Sequence, residues 1–388
     1  MSSNPLKILN SLGQSVWFDY IRRQDILSGH IKSLIDNDGV TGITSNPSIF
    51  EKAIAGSNDY DSAIQKLVAT GVETPMIFES LEVEDIQMAA DLFRPTYDAT
   101  QGADGYVSIE VAPTLARDTK GTIADARRLW SKVNRPNILV KVPGTAEGLP
   151  AIEQLLSEGI NINVTLLFAI ERYEQVALAY LAGLEKLAAS GKPLNRISSV
   201  ASFFVSRIDV LVDKQLDGKL PAAKNAEETQ RLEWLEGKTA IANAKLAYVK
   251  FKEIFAGSRF QVLANKGARV QRMLWASTGT KNPKYSDTLY IDTLIGPETV
   301  NTMPVASLEA YRDHGKPAQR IEEDLDEAHK VFRLLVEEGI DIGADTRTLE
   351  DQGVESFTKD YQKLLAALEE KRRQYQGAGA TQPAAAGS

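Results

Sequence analysis

One lysine stands within an otherwise apolar stretch that predicts a buried β-strand. The stretch is Asn-Ile-Leu-Val-Lys-Val-Pro-Gly at residues 137–144, and Lys141 lies near its end, before the proline-glycine turn. Burying an ammonium group among Ile, Leu and Val side chains costs free energy unless the group is paired or loses its proton. A free amine in such a place can add to a carbonyl carbon and form a Schiff base. Alternatively, the lysine reaches past the strand into water, and this stretch taken alone favours that alternative.

Polar residues also end the other predicted strands. They are Asp19, Asn46, Glu110, Asn163 with Thr165, Ser202 with Arg207, and Ser277 with Lys281. Taken singly, each has an ordinary structural alternative: Asp19 and Asn46 as helix N-caps, and Glu110 as a surface partner of Arg117 or Lys120. Because active sites of parallel barrels lie where the carboxyl ends of the strands meet, their coincidence on one rim favours a functional site.

These residues belong to strands that alternate with amphipathic helices. The predicted strands cover residues 15–19, 39–44, 105–110, 137–144, 159–165, 196–202, 270–277 and 288–292. Eight strand-helix units predict an α/β fold of the (β/α)8 TIM-barrel type rather than an open doubly wound sheet. Neither GxGxxG nor GxxxxGK[ST] occurs to support a nucleotide-binding fold.

One barrel domain is predicted for residues 1–376. It carries a polar insertion near 216–237 and additional C-terminal helices, at about 317–338 and 346–375, that pack across the barrel. Residues 377–388 are mostly small and have no hydrophobic face, so we expect a disordered tail or the start of a linker there.

Composition excludes several classes of protein. Of the 388 residues 43% are hydrophobic, and the net charge of -8, with no dense basic run, argues against nucleic-acid and membrane partners. The absence of cysteine excludes disulfides and thiolate zinc sites. The three histidines form no HExxH motif, so we predict neither a metal nor another cofactor. No signal-like or membrane-spanning segment is evident, which predicts a cytoplasmic protein.

Four stretches, in this order, resemble signatures of the transaldolase family in its longer bacterial form. They are TGITSNPSIF at 41–50, ILVKVPGT at 138–145, NINVTLLF at 161–168 and SFFVSRID at 202–209. The resemblance extends from Leu12 to about Tyr375. It implies a (β/α)8 barrel with a Schiff-base lysine on the fourth strand, and Lys141 lies on the fourth predicted strand.

The resemblance also implies a reaction. Lys141 would attack the C2 ketone of sedoheptulose 7-phosphate or fructose 6-phosphate, and the resulting imine would serve as an electron sink for cleavage of the C3–C4 bond. The bound dihydroxyacetone enamine would then add to glyceraldehyde 3-phosphate or erythrose 4-phosphate. Sugar phosphates of the non-oxidative pentose phosphate pathway are thus the expected partners, and the expected assembly is a monomer or homodimer.

Further roles follow from the same resemblance. Glu110 would act through a water held by Thr165 while the imine forms and is released. Asp19 would take the proton of the C4 hydroxyl during cleavage and return it during addition. Asn46 and Asn163 would hydrogen-bond the hydroxyls of the bound three-carbon unit.

A phosphate site is expected at the far end of the substrate. Arg207 would supply a bidentate guanidinium, and Ser202 and Ser277 would supply hydroxyl donors.

The second cation of this phosphate site is less clear from the sequence. Shorter members of the family carry an arginine just after the second serine, and this chain does not. Lys281 is the nearby cation, and the pair Lys266 and Arg269 is the competing source of positive charge.

Two other functions stay open at this point. One is a Schiff-base aldolase of the same superfamily that cleaves fructose 6-phosphate and releases free dihydroxyacetone. The other is a barrel without catalytic activity that binds sugar phosphates.

Overall fold

A closed barrel of eight parallel strands forms the centre of the computed structural model, which describes residues 4–379. The strands β1 to β8 are Gln14–Phe18, Val40–Ile43, Val107–Glu110, Ile138–Pro143, Ile162–Leu167, Ser199–Phe204, Arg272–Ala276 and Thr299–Met303. Each strand pairs with its neighbour in chain order, and β8 pairs with β1 to close the barrel. The predicted (β/α)8 fold is therefore confirmed.

Seventeen α-helices surround this barrel in the described part of the chain. In chain order, α1 to α17 are Pro5–Ser11, Arg23–Leu27, His30–Ser33, Pro47–Ala55, Asp61–Ala69, Thr74–Ala99, Thr119–Val133, Gly148–Glu158, Ile170–Ala189, Ser206–Lys219, Ala226–Leu235, Thr239–Ala256, Ser258–Ala264, Leu289–Thr293, Val305–His314, Leu325–Glu337 and Ile342–Gly379. Within residues 4–379, none of the helices has the length and apolar character needed to cross a membrane.

The amino end of the barrel is closed by a buried polar cluster. Asp104 lies 2.8 Å from the indole nitrogen of Trp17 and also accepts a hydrogen bond from the hydroxyl of Ser15. The guanidinium of Arg272 approaches Asp104 to 3.7 Å and donates to Ser15 and to the carbonyl of Thr299. The hydrogen bonds of this cluster fill the amino end of the barrel. A ligand therefore has room at the carboxyl end instead.

Trp17 fills the barrel interior above that cluster. A Cβ atom on Gly42 of β2 would lie 2.7 Å from the Trp17 ring, so only glycine fits beside the indole. The indole thus packs directly against the backbone of β2, as expected for the filled interior of such a barrel.

The prediction for the eighth strand is wrong. Residues 288–292 were expected to form it, whereas this segment is the short helix α14 and β8 lies at 299–303. A short apolar run does not distinguish a strand from a buried helical turn. Tyr290 and Ile291 are buried, but the Tyr290 hydroxyl donates to Asp209 of α10, on the outer helical layer. β8 was not predicted because its sequence, Thr-Val-Asn-Thr-Met, contains no apolar run.

The polar segment predicted as an insertion contains α11 and the end of α10, and it contains no strand. The predicted C-terminal helices are present as α16 and α17. The last of these packs on α4, α5 and α6, over the carboxyl end of the barrel. Residues 377–379 continue this helix, whereas the rest of the predicted tail lies outside the described residues. The domain boundary at residue 376 stays a prediction.

Candidate active site

Lys141 of β4 points into the carboxyl end of the barrel. Its side chain is 6% exposed, and Nζ lies 3.2 Å from Oε2 of Glu110. The same nitrogen donates to the carbonyl of Ser45 at 2.9 Å and lies 5.9 Å from the ring centre of Phe357. The alternative of a lysine that reaches into water is therefore wrong. The amine is held in a buried site next to one carboxylate.

Glu110 ends β3 and stands beside Lys141 in the strand register. Its side chain is 3% exposed, so the alternative of a surface pair with Arg117 is wrong, and Arg117 instead contacts Glu147 and Asp351. Burial raises the pKa of Glu110, and the positive charge of Lys141 opposes that rise. A carboxyl group with a raised pKa next to an amine is suited to giving and taking protons.

Thr165 of β5 supplies a buried hydroxyl to the same region. Its Oγ1 is fully buried and has no hydrogen-bond partner among residues 4–379, and the same holds for the two carboxylate oxygens of Glu110 apart from the ion pair. Buried polar atoms almost always have a partner, which can be a water molecule. These atoms therefore have unused capacity on the side of the barrel where the chemistry is predicted.

Asp19 follows β1 directly. Its Oδ1 accepts a hydrogen bond of 2.7 Å from the hydroxyl of Thr44. Because α2 begins only at Arg23, the N-cap alternative for Asp19 is wrong. Burial raises the pKa of Asp19, while the Thr44 hydrogen bond and the positive charges of Lys141 and Lys281 act in the opposite direction. Asp19 is thus a second, partly buried carboxyl group on the wall of the same cleft as the amine.

Asn46 has two functions that do not conflict. Its Oδ1 accepts from the backbone N–H of Ile49 at 3.0 Å, so the N-cap alternative is confirmed for this residue. The side chain also lines the cleft, and its amide nitrogen donates to no residue in the described part of the chain. That nitrogen is available to a ligand.

Asn163 lies beside Lys141 in the register of β4 and β5 and is fully buried. Its Nδ2 donates to the hydroxyl of Ser108 at 3.1 Å, and its Oδ1 accepts from the hydroxyl of Ser202 at 2.7 Å. The orientation of the amide is therefore fixed. Since the only hydrogen of the Ser202 hydroxyl is used here, a phosphate contact from Ser202 requires that hydroxyl to turn.

Arg207 lies in the first turn of α10. Its guanidinium makes no ion pair or hydrogen bond with residues 4–379, and it lies 5.4 Å from the ring centre of Phe204. Burial lowers the pKa of Arg207, and the charge of Asp360 opposes this. A half-buried guanidinium without a bonded partner is suited to bind an anion in bidentate fashion.

Ser277 and Lys281 border the same region from the loop after β7. Ser277 has a φ of 56°, in the left-handed region, and its hydroxyl lies 3.0 Å from that of Ser206. Lys281 is exposed and lines the cleft. The competing pair is excluded, because Arg269 donates to the carbonyls of residues 101 and 102 before β3, at the amino end of the barrel. Lys281 lines the cleft together with Lys52 of α4, whereas Lys266 and Arg269 do not.

These side chains border one cleft of about 470 Å³ at the carboxyl end of the barrel. The predicted site residues among its lining are Asp19, Asn46, Lys141, Thr165, Ser202, Arg207, Ser277 and Lys281. Glu110 and Asn163 complete the set by direct contact with Lys141 and Ser202. A cleft of this volume suits a small ligand. The cations at one end and the Lys141–Glu110 pair deeper in the barrel are suited to a phosphorylated carbonyl compound.

Several lining residues were missed by the sequence analysis. Phe357 and Asp360 come from α17, more than 200 residues after Lys141, and no local pattern indicates their position. Thr302 was hidden because β8 was misplaced. Lys52 follows the asparagine-proline stretch on α4, so its proximity to Asn46 along the helix was the available signal.

Comparison with known proteins gives the family of this chain. A family model described as Transaldolase/Fructose-6-phosphate aldolase matches residues 16–368. A relative named Transaldolase 2, from Nostoc sp. (strain PCC 7120), is 48% identical over 376 residues, which span 96% of this chain and 98% of the relative. Relatives named Transaldolase from Saccharopolyspora erythraea and Thiobacillus denitrificans are 46% and 47% identical, over 95% and 94% of this chain and 98% and 99% of their own.

Proposed function

This chain belongs to the transaldolase/fructose-6-phosphate aldolase family, and from this premise we propose that Lys141 is the Schiff-base lysine of a transaldolase. The enzyme transfers a ketone-bearing unit, dihydroxyacetone, from a ketose phosphate to an aldose phosphate. One observation carries the proposal. The amine of Lys141 is buried 3.2 Å from a carboxylate, in a cleft that also contains the guanidinium of Arg207, which forms no ion pair within residues 4–379.

Imine formation begins with attack of the Lys141 amine on the C2 carbonyl of the ketose phosphate. The carbinolamine then loses its hydroxyl as water, which requires a proton donor. Glu110 provides that proton through a water molecule bound by Thr165. The raised pKa of Glu110 and the free hydrogen-bonding capacity of both side chains support this assignment.

Cleavage of the C3–C4 bond needs a base for the C4 hydroxyl. Asp19 takes this proton, and the positively charged imine accepts the electron pair of the broken bond. In the second half of the reaction Asp19 returns the proton to the new hydroxyl. A carboxyl group whose pKa is raised above its usual value is better suited to returning the proton than an ordinary aspartate.

The enamine has to stay bound until the aldose phosphate arrives. The free amide nitrogen of Asn46 and the fixed amide of Asn163 hold the hydroxyls of the three-carbon unit. Phe357 covers the amine from the side of α17 and limits access of bulk water. Retention of the enamine distinguishes a transaldolase from an aldolase that releases dihydroxyacetone.

The phosphate group binds at the opposite end of the cleft. Arg207 provides the bidentate contact, Ser277 a hydroxyl, and Lys281 a second positive charge. The ketose is sedoheptulose 7-phosphate or fructose 6-phosphate, and the acceptor is glyceraldehyde 3-phosphate or erythrose 4-phosphate. These are substrates of the non-oxidative pentose phosphate pathway. The cytoplasmic location, the oligomeric state and the independence from cofactors stay predictions from the sequence.

Reductive trapping tests the Schiff base directly. Incubation with fructose 6-phosphate and borohydride should add a reduced dihydroxyacetone unit to Lys141, as read by peptide mass spectrometry, and to no other lysine. Lys141→Met is the matched control and should remain unlabelled. An unlabelled wild-type enzyme would leave only the binding function.

A second measurement separates the transferase from the aldolase. Without an acceptor, fructose 6-phosphate should yield little free dihydroxyacetone, and addition of erythrose 4-phosphate should yield sedoheptulose 7-phosphate. Abundant dihydroxyacetone without an acceptor would instead favour the aldolase.

A further inference from the structure

A second cavity lies on the other side of Glu110 from the cleft. It has a volume of about 170 Å³ and is enclosed by the β3 end, α6, α7 and α17. Glu110 lines this cavity and also contacts Lys141 of the cleft, so it stands between the two spaces. Met76, which is 46% exposed, lies on the cavity wall and marks its approach to the protein surface.

Two of the four carboxylates on the wall of this cavity are neutralised by cations. Glu79 contacts Arg128 and, at 2.5 Å, Lys132. Asp125 contacts Arg128 at 2.5 Å and accepts from the backbone N–H of Ala112 at 3.0 Å. These two acids are therefore committed to ion pairs, and Glu110 has its own partner in Lys141.

Glu82 of α6 is the fourth carboxyl group on the cavity wall, and unlike the other three it has no cationic partner among residues 4–379. It is 6% exposed and has neither an ion pair nor a hydrogen bond with any residue between 4 and 379. The titratable groups that face it are Glu79 and Asp85 on its own helix, Glu110 of β3, Asp125 and Arg128 of α7, and Tyr361 of α17. Burial and the surrounding negative charges raise the pKa of Glu82 well above its usual range. Glu82 therefore holds its proton more readily than an ordinary glutamate, and it lines the same cavity as Glu110.

We propose that Glu82 relays protons to and from Glu110, and that the second cavity is the route by which this relay exchanges protons and water with solvent. The inference rests on the proposed function, which requires Glu110 to exchange protons while substrate fills the cleft. A sugar phosphate bound in the cleft blocks the approach of bulk water to Glu110 from the side of Lys141. The cavity reaches Glu110 from the side of α6, α7 and α17 instead.

During imine formation the relay passes protons from solvent through Glu82 and Glu110 to the departing hydroxyl group. Protonated Glu110 gives its proton, through the water bound by Thr165, to the departing hydroxyl, and the carbon–oxygen bond breaks to release one water. Glu110 is left as a carboxylate and takes the proton of Glu82. Solvent in the cavity then protonates Glu82 again. Hydrolysis of the imine runs through the same groups in reverse.

Substitution Glu82→Gln tests the relay, because glutamine keeps the size of the side chain but cannot exchange a proton. The full chain is mixed with fructose 6-phosphate and quenched with borohydride at successive times, so the amount of trapped Lys141 gives the rate of imine formation. We expect this rate to fall by about tenfold or more, with a changed pH profile and a changed solvent isotope effect. Glu82→Asp, which retains an acid, should restore part of the rate.

Glu84→Gln is the matched control, because Glu84 lies on the same helix two residues after Glu82, pairs with Arg23 and does not line the cavity. It should form the imine at the wild-type rate. Thermal unfolding checks that each variant is folded. If Glu82→Gln does not fold, the pH profile of Glu82→Asp decides.

The relay is wrong if Glu82→Gln forms the imine at the wild-type rate. It is also wrong if the Gln and Asp variants are equally slow with an unchanged pH profile, because that result indicates a structural role. Failure to trap Lys141 in the wild-type enzyme would instead reject the proposed function, and with it the relay.

Discussion

A buried ion pair lies near each end of the barrel. At the carboxyl end Lys141 and Glu110 are 3.2 Å apart, and at the amino end Arg272 and Asp104 are 3.7 Å apart. Both pairs join a cation and a carboxylate from the strands and loops of one packed core. They differ in how completely their remaining hydrogen-bonding groups are used.

The pair at the amino end is nearly saturated. Asp104 accepts from Trp17 at 2.8 Å, from the backbone of Gly105 at 3.0 Å and from Ser15. Arg272 donates to the hydroxyl of Ser15 at 2.7 Å and to a carbonyl at 2.6 Å. A buried charge surrounded by bonded partners in this way is fixed in place and has no capacity for a ligand.

The pair at the carboxyl end is unsaturated. Apart from the ion pair, Glu110 accepts no hydrogen bond from residues 4–379, and Lys141 donates only to Ser45. Unsatisfied buried charges lower stability, so such an arrangement is retained where reactivity is needed. We therefore call Arg272–Asp104 the structural pair and Lys141–Glu110 the chemical pair. Substitutions in the structural pair should lower stability and spare activity, and substitutions in the chemical pair should do the reverse.

The largest effect is expected at the chemical pair. Substitution Lys141→Met removes the proposed nucleophile and should lower kcat by at least about 10⁴-fold, since loss of a covalent catalyst is rarely replaced by another group. Stability should change little, because Glu110 can take up a proton when its cationic partner is gone. Turnover and thermal unfolding are measured on the same preparation. A variant that still turned over would place the chemistry elsewhere.

The structural pair should give the converse result. Substitution Arg272→Gln leaves Asp104 buried without its cation and should lower the free energy of unfolding by about 3–5 kcal/mol. Denaturant unfolding at constant pH measures this loss. The fraction that is still folded should keep its kcat, because Arg272 lies at the far end of the barrel from the cleft. A loss of kcat without a loss of stability would contradict the division between the two ends.

Asp19 gives the next effect, and its pH dependence has a definite sign. Because its pKa is raised in the folded state, folding binds a proton between the ordinary carboxyl pKa and the raised value. Stability should therefore fall as pH rises through that range, while activity should rise, because the proposed role of Asp19 as a base needs its carboxylate form. Asp19→Asn should lose about 10²-fold or more in kcat and also make the stability curve flatter.

Asp209 provides the control for this pH effect. Burial raises the pKa of Asp209 to about 7, yet the residue does not line the cleft. Asp209→Asn should flatten the dependence of stability on pH without moving the acid limb of the activity profile. If both substitutions moved that limb, the assignment of Asp19 as the base would be unsupported.

The chemical end of the barrel was largely predictable from sequence. Strand ends follow from local apolar patterns, and the topology of a parallel barrel brings their carboxyl ends together whatever the details of packing. For this reason Lys141, Asp19 and Arg207 were found without knowledge of their partners. The structural end was not predicted, because its acid, Asp104, lies in a loop before β3 and its arginine begins β7.

Contacts between distant segments account for what was missed. Phe357 reaches the amine from a helix that begins 201 residues after Lys141, at Ile342. Glu82 is one of several acids on α6, and nothing in its local sequence separates it from neighbours that are paired with cations. β8 has inward polar residues such as Thr302 in place of an apolar run, which removes the signal used for the other strands.

The smallest effect on activity is expected for Arg207, the arginine of the cleft at the carboxyl end of the barrel. Arg207 has no bonded partner among residues 4–379, in contrast to Arg272, which has several. Arg207→Gln should therefore raise KM for the sugar phosphate by about tenfold, with a smaller effect on kcat, because a charge-assisted contact to the phosphate is lost. Its stability should stay unchanged or rise slightly, since a half-buried charge is removed and no internal hydrogen bond is broken. Arg→Gln at the two ends of the barrel thus separates an arginine that stabilises the fold, Arg272, from one that binds a ligand, Arg207. If Arg207→Gln lowered the free energy of unfolding as much as Arg272→Gln does, this difference between the two arginines would be refuted.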